Sequence, residues 1–316
     1  MSRLVRYKES INKFIKERSC IFSEIEAEDN MMKFLNDQIQ KSDFLLPILF
    51  LTIMNSQNKK NHITMQGYFA ASCIEFVFYL HQIVVVAIAN QPDSKMINFL
   101  ILASQRSLNQ SMESVKNFLP TDSLSTILIN SQNEFLNCVS FKKLLSPITL
   151  ELSGQKPPSD LLKWYIKNDQ ELKEKILMIN KVDPESFQNF LNNKYGSICE
   201  LAFCLGWLIG GGDQKEINKI KKISKYFTIL YKLSIDFVNL EKDLRNNNGD
   251  TSTNYVINYG LQESYELFMY NKQKFIEESM MIDIYTATIK EIINYIENGV
   301  DAIIDETSPD LKSQYT

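Results

Sequence analysis

The chain has 316 residues, 44% of them hydrophobic, with a formal net charge of −4 and an isoelectric point near 5.5. That apolar content excludes a disordered chain, and the lack of a basic excess excludes a surface built for nucleic acid. The 10 glycines and 8 prolines are few for a loop-rich β protein, so the composition favours long helices.

Lys, Asn and Ile are abundant, a bias typical of A/T-rich genomes such as those of protists and large DNA viruses. Cys20, Cys73, Cys138, Cys199 and Cys204 form no CxxC pair and mostly sit in apolar runs. They read as reduced core residues of a protein in the cytoplasm, the host's if the gene is viral. The two histidines, His62 and His81, belong to no His/Cys cluster, so zinc is not expected.

In chain order, MSRLVRYKESINKFIKERS reads as a charged amphipathic helix rather than a signal peptide, and the helical block extends to about residue 41. SDFLLPILFLTIMN opens the next helix, with Ser42 or Asp43 as cap and Pro47 in the early turns. SQNKKNHITMQG reads as a loop. Residues 68–89 (YFAASCIEFVFYLHQIVVVAIA) are long enough to span a bilayer. They carry Glu75, His81 and Gln82 in mid-segment, which makes a buried core helix the better reading, and no transmembrane span is expected.

A helix over 96–119 follows, and Pro120 introduces another in TDSLSTILINSQNEFLNCVS. Residues 146–160, with Pro147, Gly154, Pro157 and Pro158, read as a linker between domains or a flexible loop within one. SDLLKWYIKNDQELKEKILMIN and PESFQNFLNNKYGSICELAFCLGWLIGGGD are helical, the latter ended by Gly210, Gly211 and Gly212. Those glycines follow no strand and precede no GK[ST], so they are not a phosphate loop. KEINKIKKISKYFTILYKLSIDFVNLEKDLRNN reads as one helix, its lysine run at 215–225 a solvated face. After the loop NNNGDTSTN, two helices are expected near 256–277 and 281–305, then a tail at about 306–316. The expectation is a single all-α domain over 1–316.

The richest stretch chemically is YKLSIDFVNLEKDL, residues 231–244. Asp236, Asn239 and Asp243 fall at i, i+3 and i+7, within roughly 60° of one helical stripe, and Lys232 precedes Asp236 by one turn. Two readings stay open. Oxygen donors on successive turns suit a hard cation such as Mg²⁺ that bridges to a diphosphate. The alternative is a solvated face carrying a Lys232–Asp236 pair. Glu75 and Gln82 share a face of the long apolar helix, as a base or cation ligand or as hydrogen-bonded core groups. His81 lies on another face and reads as a core or interface residue, and Trp164 and Trp207 read as packing.

From 194 to 243 the chain resembles the second half of the trans-isoprenyl diphosphate synthases. In that family a Lys-Thr opens a glycine-terminated helix, and the next helix leads into Phe-Gln-x-x-Asp-Asp-x-x-Asp. On that pattern Lys194 stands at the diphosphate-binding lysine and Tyr195 at the threonine. Tyr231 and Lys232 replace Phe-Gln, and Ile235, Asp236 and Asn239 fall on the three aspartates. The stretch also resembles the second metal motif of the terpene cyclases, with Asp236, Asn239 and Asp243 at its last three ligand positions and Ile235 at its first. Weaker likeness precedes it. Pro47 matches a basic-rich helix opening whose cationic residues are here Asp43, Phe44 and Leu46. Glu75 matches the helix that leads to the first aspartate-rich motif, whose aspartate positions hold Val85, Val86 and Ala89.

The resemblance implies an isoprenoid-synthase-like antiparallel helical bundle around a central cavity, and a possible homodimer, since family members are often dimeric. It implies Mg²⁺ as cofactor and an allylic prenyl diphosphate as ligand, with Asp236, Asn239 and Asp243 on the metal and Lys194 on the diphosphate. An active chain would be a prenyltransferase or terpene synthase. Valine cannot bind Mg²⁺, so one wall of the metal clamp is missing. A catalytically inactive scaffold that binds a prenyl lipid, a partner protein or itself is the alternative.

Overall fold

The computed structural model describes residues 2–18, 42–57, 71, 74, 109, 125–138, 195–246, 254–308 and 310. Among them are nine α-helices and no strand: α1 (Arg3–Arg18), α2 (Leu45–Gln57), α3 (Ser125–Cys138), α4 (Gly196–Ile209), α5 (Ile217–Val238), α6 (Leu240–Asn246), α7 (Tyr255–Tyr259), α8 (Leu261–Met281) and α9 (Ala287–Thr307). A 3₁₀ turn, Gln214–Glu216, precedes α5. The all-α expectation holds. Of the long apolar helix expected at 68–89, only Ala71 and Ile74 are described; both are helical and buried. Glu75, Gln82, His81, Trp164, Lys194 and the 146–160 segment lie outside the described residues. No helix among the described residues is long and apolar enough to cross a membrane.

Helix α4 is the centre. Every residue from Gly196 to Leu208 is buried, as a helix without a polar face requires. It packs on α2, α3 and α5, and α5 packs in turn on α8 and α9. Phe203 of α4, Phe227 of α5 and Phe275 of α8 meet with ring centroids 5.6–6.2 Å apart, which locks the three helices together.

The α2–α4 approach is backbone to backbone. A Cβ on Gly206 would sit 2.9 Å from the Phe50 carbonyl oxygen, and one on Gly210 would sit 2.5 Å from that of Met54. The helix then stops where the glycine run predicts. Gly211 takes φ +90°, the Gly211 N–H donates to Leu208 O at 3.0 Å, and the Gly212 N–H donates to Trp207 O at 2.8 Å. This is the Schellman arrangement that satisfies the last carbonyls of a helix.

A polar seam runs between α3 and α4. Ser131, Glu134 and Cys138 on one helix mirror Ser197, Glu200 and Cys204 on the other, each set at i, i+3 and i+7. Lys221 of α5 closes the seam, its Nζ 2.6 Å from Glu134 Oε2 and 3.9 Å from Glu200 Oε1. Cys138, Cys199 and Cys204 are buried thiols, as expected of the core. Burial pushes the Cys199 thiol up to about 12.

Three boundaries differ from the sequence reading. The helix expected over 215–247 begins as a 3₁₀ turn and is interrupted at Asn239. Gly260, at φ +87° and ψ 165°, separates α7 from α8. α8 continues to Met281, and α9 starts only after Thr286, whose Oγ1 accepts the Ile289 N–H. Helix α1 is tied to α9 through Glu291. Its Oε2 accepts the backbone N–H groups of Arg3 (2.8 Å) and Leu4 (3.3 Å), so a carboxylate from another helix caps α1.

Two outcomes follow from this packing. Gly210→Ala drives a methyl group into the Met54 carbonyl, and we expect a loss of roughly 1–3 kcal/mol, read as a lower denaturant midpoint. Desolvation pushes the Glu291 carboxyl up, but the Leu4 and Arg3 N–H groups and the Ser2 hydroxyl outweigh it and hold the group below its ordinary value of 4.5. The stabilisation this supplies is complete above that value and is lost as pH falls through the lower folded one. Hydrogen exchange, corrected for intrinsic rates, should show α1 losing protection on acidification ahead of α4 and α5. Glu291→Gln should weaken α1 protection at neutral pH and flatten that response.

Candidate functional site

Along α5, Lys232 and Asp236 sit one turn apart on the inward face, and burial turns an ordinary helical pair into a sealed one. Both side chains are only 4% exposed, and Lys232 Nζ contacts Asp236 Oδ1 directly. The solvated-face reading of this pair is therefore corrected: the pair exists, but inside the protein. The Lys232 ammonium also lies 5.4 Å from the centre of the Tyr195 ring, on the residue that leads into α4.

The other oxygen of Asp236 is committed as well. Oδ2 accepts the backbone N–H of Tyr255, the first residue of α7, at 2.8 Å. Asn254 closes the arrangement. Its Nδ2 donates to the Asp236 carbonyl oxygen at 2.8 Å and to Asp243 Oδ2 at 2.9 Å. Its Oδ1 caps α7 by accepting the N–H groups of Val256 (2.9 Å) and Ile257 (3.3 Å). One amide thus ties the end of α5, the start of α6 and the start of α7 together. Burial pushes the Asp236 carboxyl above its ordinary range, against the opposing pull of Lys232 and the Tyr255 N–H.

Asp236 and Asp243 are brought together through Asn254. Asn239 is not part of that network. It occupies the turn between α5 and α6, at φ −91° and ψ 3°, which breaks the continuous stripe expected from the sequence. It lines a cavity of about 420 Å³ on the face of α5 that carries Tyr231, Ser234 and Ile235. Asp43, Tyr295 and Asn298 supply polar groups there, and the Tyr295 hydroxyl donates to Asp43 Oδ2 at 2.8 Å. At its edge Phe44 is held at φ +53°, its N–H donating to Ser42 Oγ at 3.0 Å. For a bulky residue that conformation costs on the order of 1 kcal/mol or more. Asn254 and Tyr255 were not singled out from the sequence. An Asn before an apolar helical run is a visible capping signal, but its link to Asp236 crosses 18 residues and has no local signature.

No family model and no curated protein matches the chain. Solved structures do. A farnesyl/geranylfarnesyl (FPP/GFPP) synthase from Zymomonas mobilis covers 93% of this chain and 98% of its own, with a TM-score of 0.64 at 9% identity. A geranyltransferase from Helicobacter pylori covers 94% and 98%, with a TM-score of 0.64 at 11% identity. The geranyl diphosphate synthase small subunit from Antirrhinum majus covers 94% and 100%, with a TM-score of 0.58 at 14% identity.

This chain has the isoprenyl diphosphate synthase fold.

The sequence resemblance implied Mg²⁺ on Asp236, Asn239 and Asp243, so the fit of those donors matters. Mg²⁺ requires near-octahedral oxygen ligands. Here both Asp236 oxygens already accept from an ammonium and a backbone N–H, and Asp243 Oδ2 accepts from an amide NH₂. Among the described residues no group of three or more acidic, Cys or His side chains converges on a metal position. A dication placed about 4 Å from the Lys232 ammonium would also meet a repulsion on the order of 8 kcal/mol at an effective dielectric constant of about 20. The donor set as arranged does not fit Mg²⁺.

The pair has a measurable signature. Removing one partner strands a buried charge, so Lys232→Met and Asp236→Leu should each cost about 3–5 kcal/mol. The double variant should cost far less than their sum. Denaturant titrations of all four proteins give the coupling, and additive costs would contradict a buried, mutually compensating pair.

Proposed function

We propose that this chain is a non-catalytic helical scaffold of the isoprenyl diphosphate synthase fold, a single domain whose metal wall is closed by an internal ion-pair network. The observation that carries this reading is the double commitment of Asp236, to the Lys232 ammonium on one oxygen and to the Tyr255 N–H on the other. Ionising an allylic diphosphate requires preorganised positive charge on the departing pyrophosphate, and a carboxylate neutralised from within recruits none. The apolar Val85, Val86 and Ala89 at the positions of the first aspartate motif point the same way. The Antirrhinum majus neighbour is by name the small subunit of a synthase. Service as an accessory subunit, beside itself or a partner, is the form of scaffold function this reading favours.

The competing reading is a Mg²⁺-dependent prenyltransferase or terpene synthase, with Asp236, Asn239 and Asp243 on the metal and Lys194 on the diphosphate. It draws support from the fold and from the pairing of Asp236 with Asp243 through Asn254. It requires Lys232 to leave Asp236 and Asn239 to turn toward the pair.

Incubation with labelled geranyl, farnesyl and geranylgeranyl diphosphates and Mg²⁺ separates the two. The scaffold reading expects neither pyrophosphate release nor prenyl product above a protein-free control. Release that is abolished by Asp236→Asn would establish the enzyme instead.

A further inference from the structure

We infer that the Lys232 side chain is the resident cation of this site, covalently carried in the role that a bound divalent ion would otherwise fill, and that it renders the site independent of divalent metal. This rests on the scaffold reading of the same residues and extends it to how the site is held together.

The argument is one of charge and enclosure. Asn254 ties the Asp236 main-chain carbonyl to the Asp243 carboxylate, and the repulsion from Asp243 acts on the Asp236 carboxylate. A buried carboxylate that feels a second acidic group needs a counter-charge. Lys232 supplies it from one turn away, at 4% exposure. The ammonium is boxed in by the Asp236 carboxylate and the face of Tyr195. Both contacts favour a compact cation. Tyr255 N–H and Asn254 NH₂ then supply donors to Asp236 Oδ2 and Asp243 Oδ2, as the waters or neighbours of a metal-bound carboxylate would. An ammonium on a four-carbon stem is a point charge with three donors. It balances a carboxylate without asking for the octahedral oxygen set that Mg²⁺ demands.

The substitution that tests this is Lys232→Gln, which deletes the charge and keeps a polar side chain of similar length. Without the ammonium, Asp236 Oδ1 loses its partner and the repulsion from Asp243 on the buried carboxylate is uncompensated. Mn²⁺ serves as the probe, because its electron paramagnetic resonance signal separates bound from free ion. The wild-type protein should show no stoichiometric Mn²⁺ site and no change in melting temperature with millimolar Mg²⁺ at constant ionic strength. Lys232→Gln should melt lower, bind about one Mn²⁺, and regain several degrees on adding Mg²⁺. Lys232→Arg, which keeps the positive charge, should remain indifferent to both ions.

A wild-type Mn²⁺ site that disappears in Asp236→Asn would overturn the inference, and this titration decides the matter even if Lys232→Gln does not fold. A folded Lys232→Gln that takes up no Mn²⁺ would overturn it equally. Neither result depends on pyrophosphate release. A wild-type protein that binds Mn²⁺ at Asp236 yet releases no pyrophosphate sinks this inference while leaving the scaffold function intact.

Discussion

The structure around the end of α5 depends on neutralising one buried carboxylate. Asp236 is 3% exposed, and a carboxylate so placed is tolerable only if it is paired and hydrogen-bonded. Two groups meet that requirement, the Lys232 ammonium and the Tyr255 N–H, while the Asn254 amide fixes the neighbouring main-chain carbonyl. The ammonium comes from α5 itself, and the other two groups come from the cap and first residue of α7. The electrostatic demand of a single side chain therefore orients α7 against α5, and Asn254 ties α6 to both.

The same constraint separates fold from chemistry. The bundle is held by apolar contact, through the Phe203–Phe227–Phe275 cluster and the glycine-mediated seat of α4 on α2. None of this requires a metal or a substrate. A buried ion pair at the end of α5 is compatible with this helical frame, because the frame draws its packing from elsewhere. Identities of 9–14% to structures that share the fold over nearly the whole chain fit that independence.

Polar groups in the interior are organised rather than scattered. Glu134 of α3 and Glu200 of α4, equivalent positions of the two Ser-x-x-Glu-x-x-x-Cys sets, both reach Lys221, and Glu291 reaches across to cap α1. In each case a charge from one helix meets an electrostatic need of another. Such contacts contribute modest energy individually, but they specify which helix faces match, which a uniform apolar interface would leave open.

Several features were legible in the sequence because they are local. Scarcity of glycine and proline and the long apolar periodicities specify helices. The run Gly210–Gly211–Gly212 marks the stop of α4, since only glycine takes φ +90° there without strain. The spacing of Lys232 and Asp236 pairs them on any α-helix. What the sequence left undecided is what lies around that pair. Burial, the approach of Tyr255 from 19 residues away, and the displacement of Asn239 into a turn facing a cavity all arise when α7, α8 and α9 close on α5. Helical periodicity determines which side chains share a face. Only packing between distant helices determines whether that face meets water, a metal or another part of the same chain.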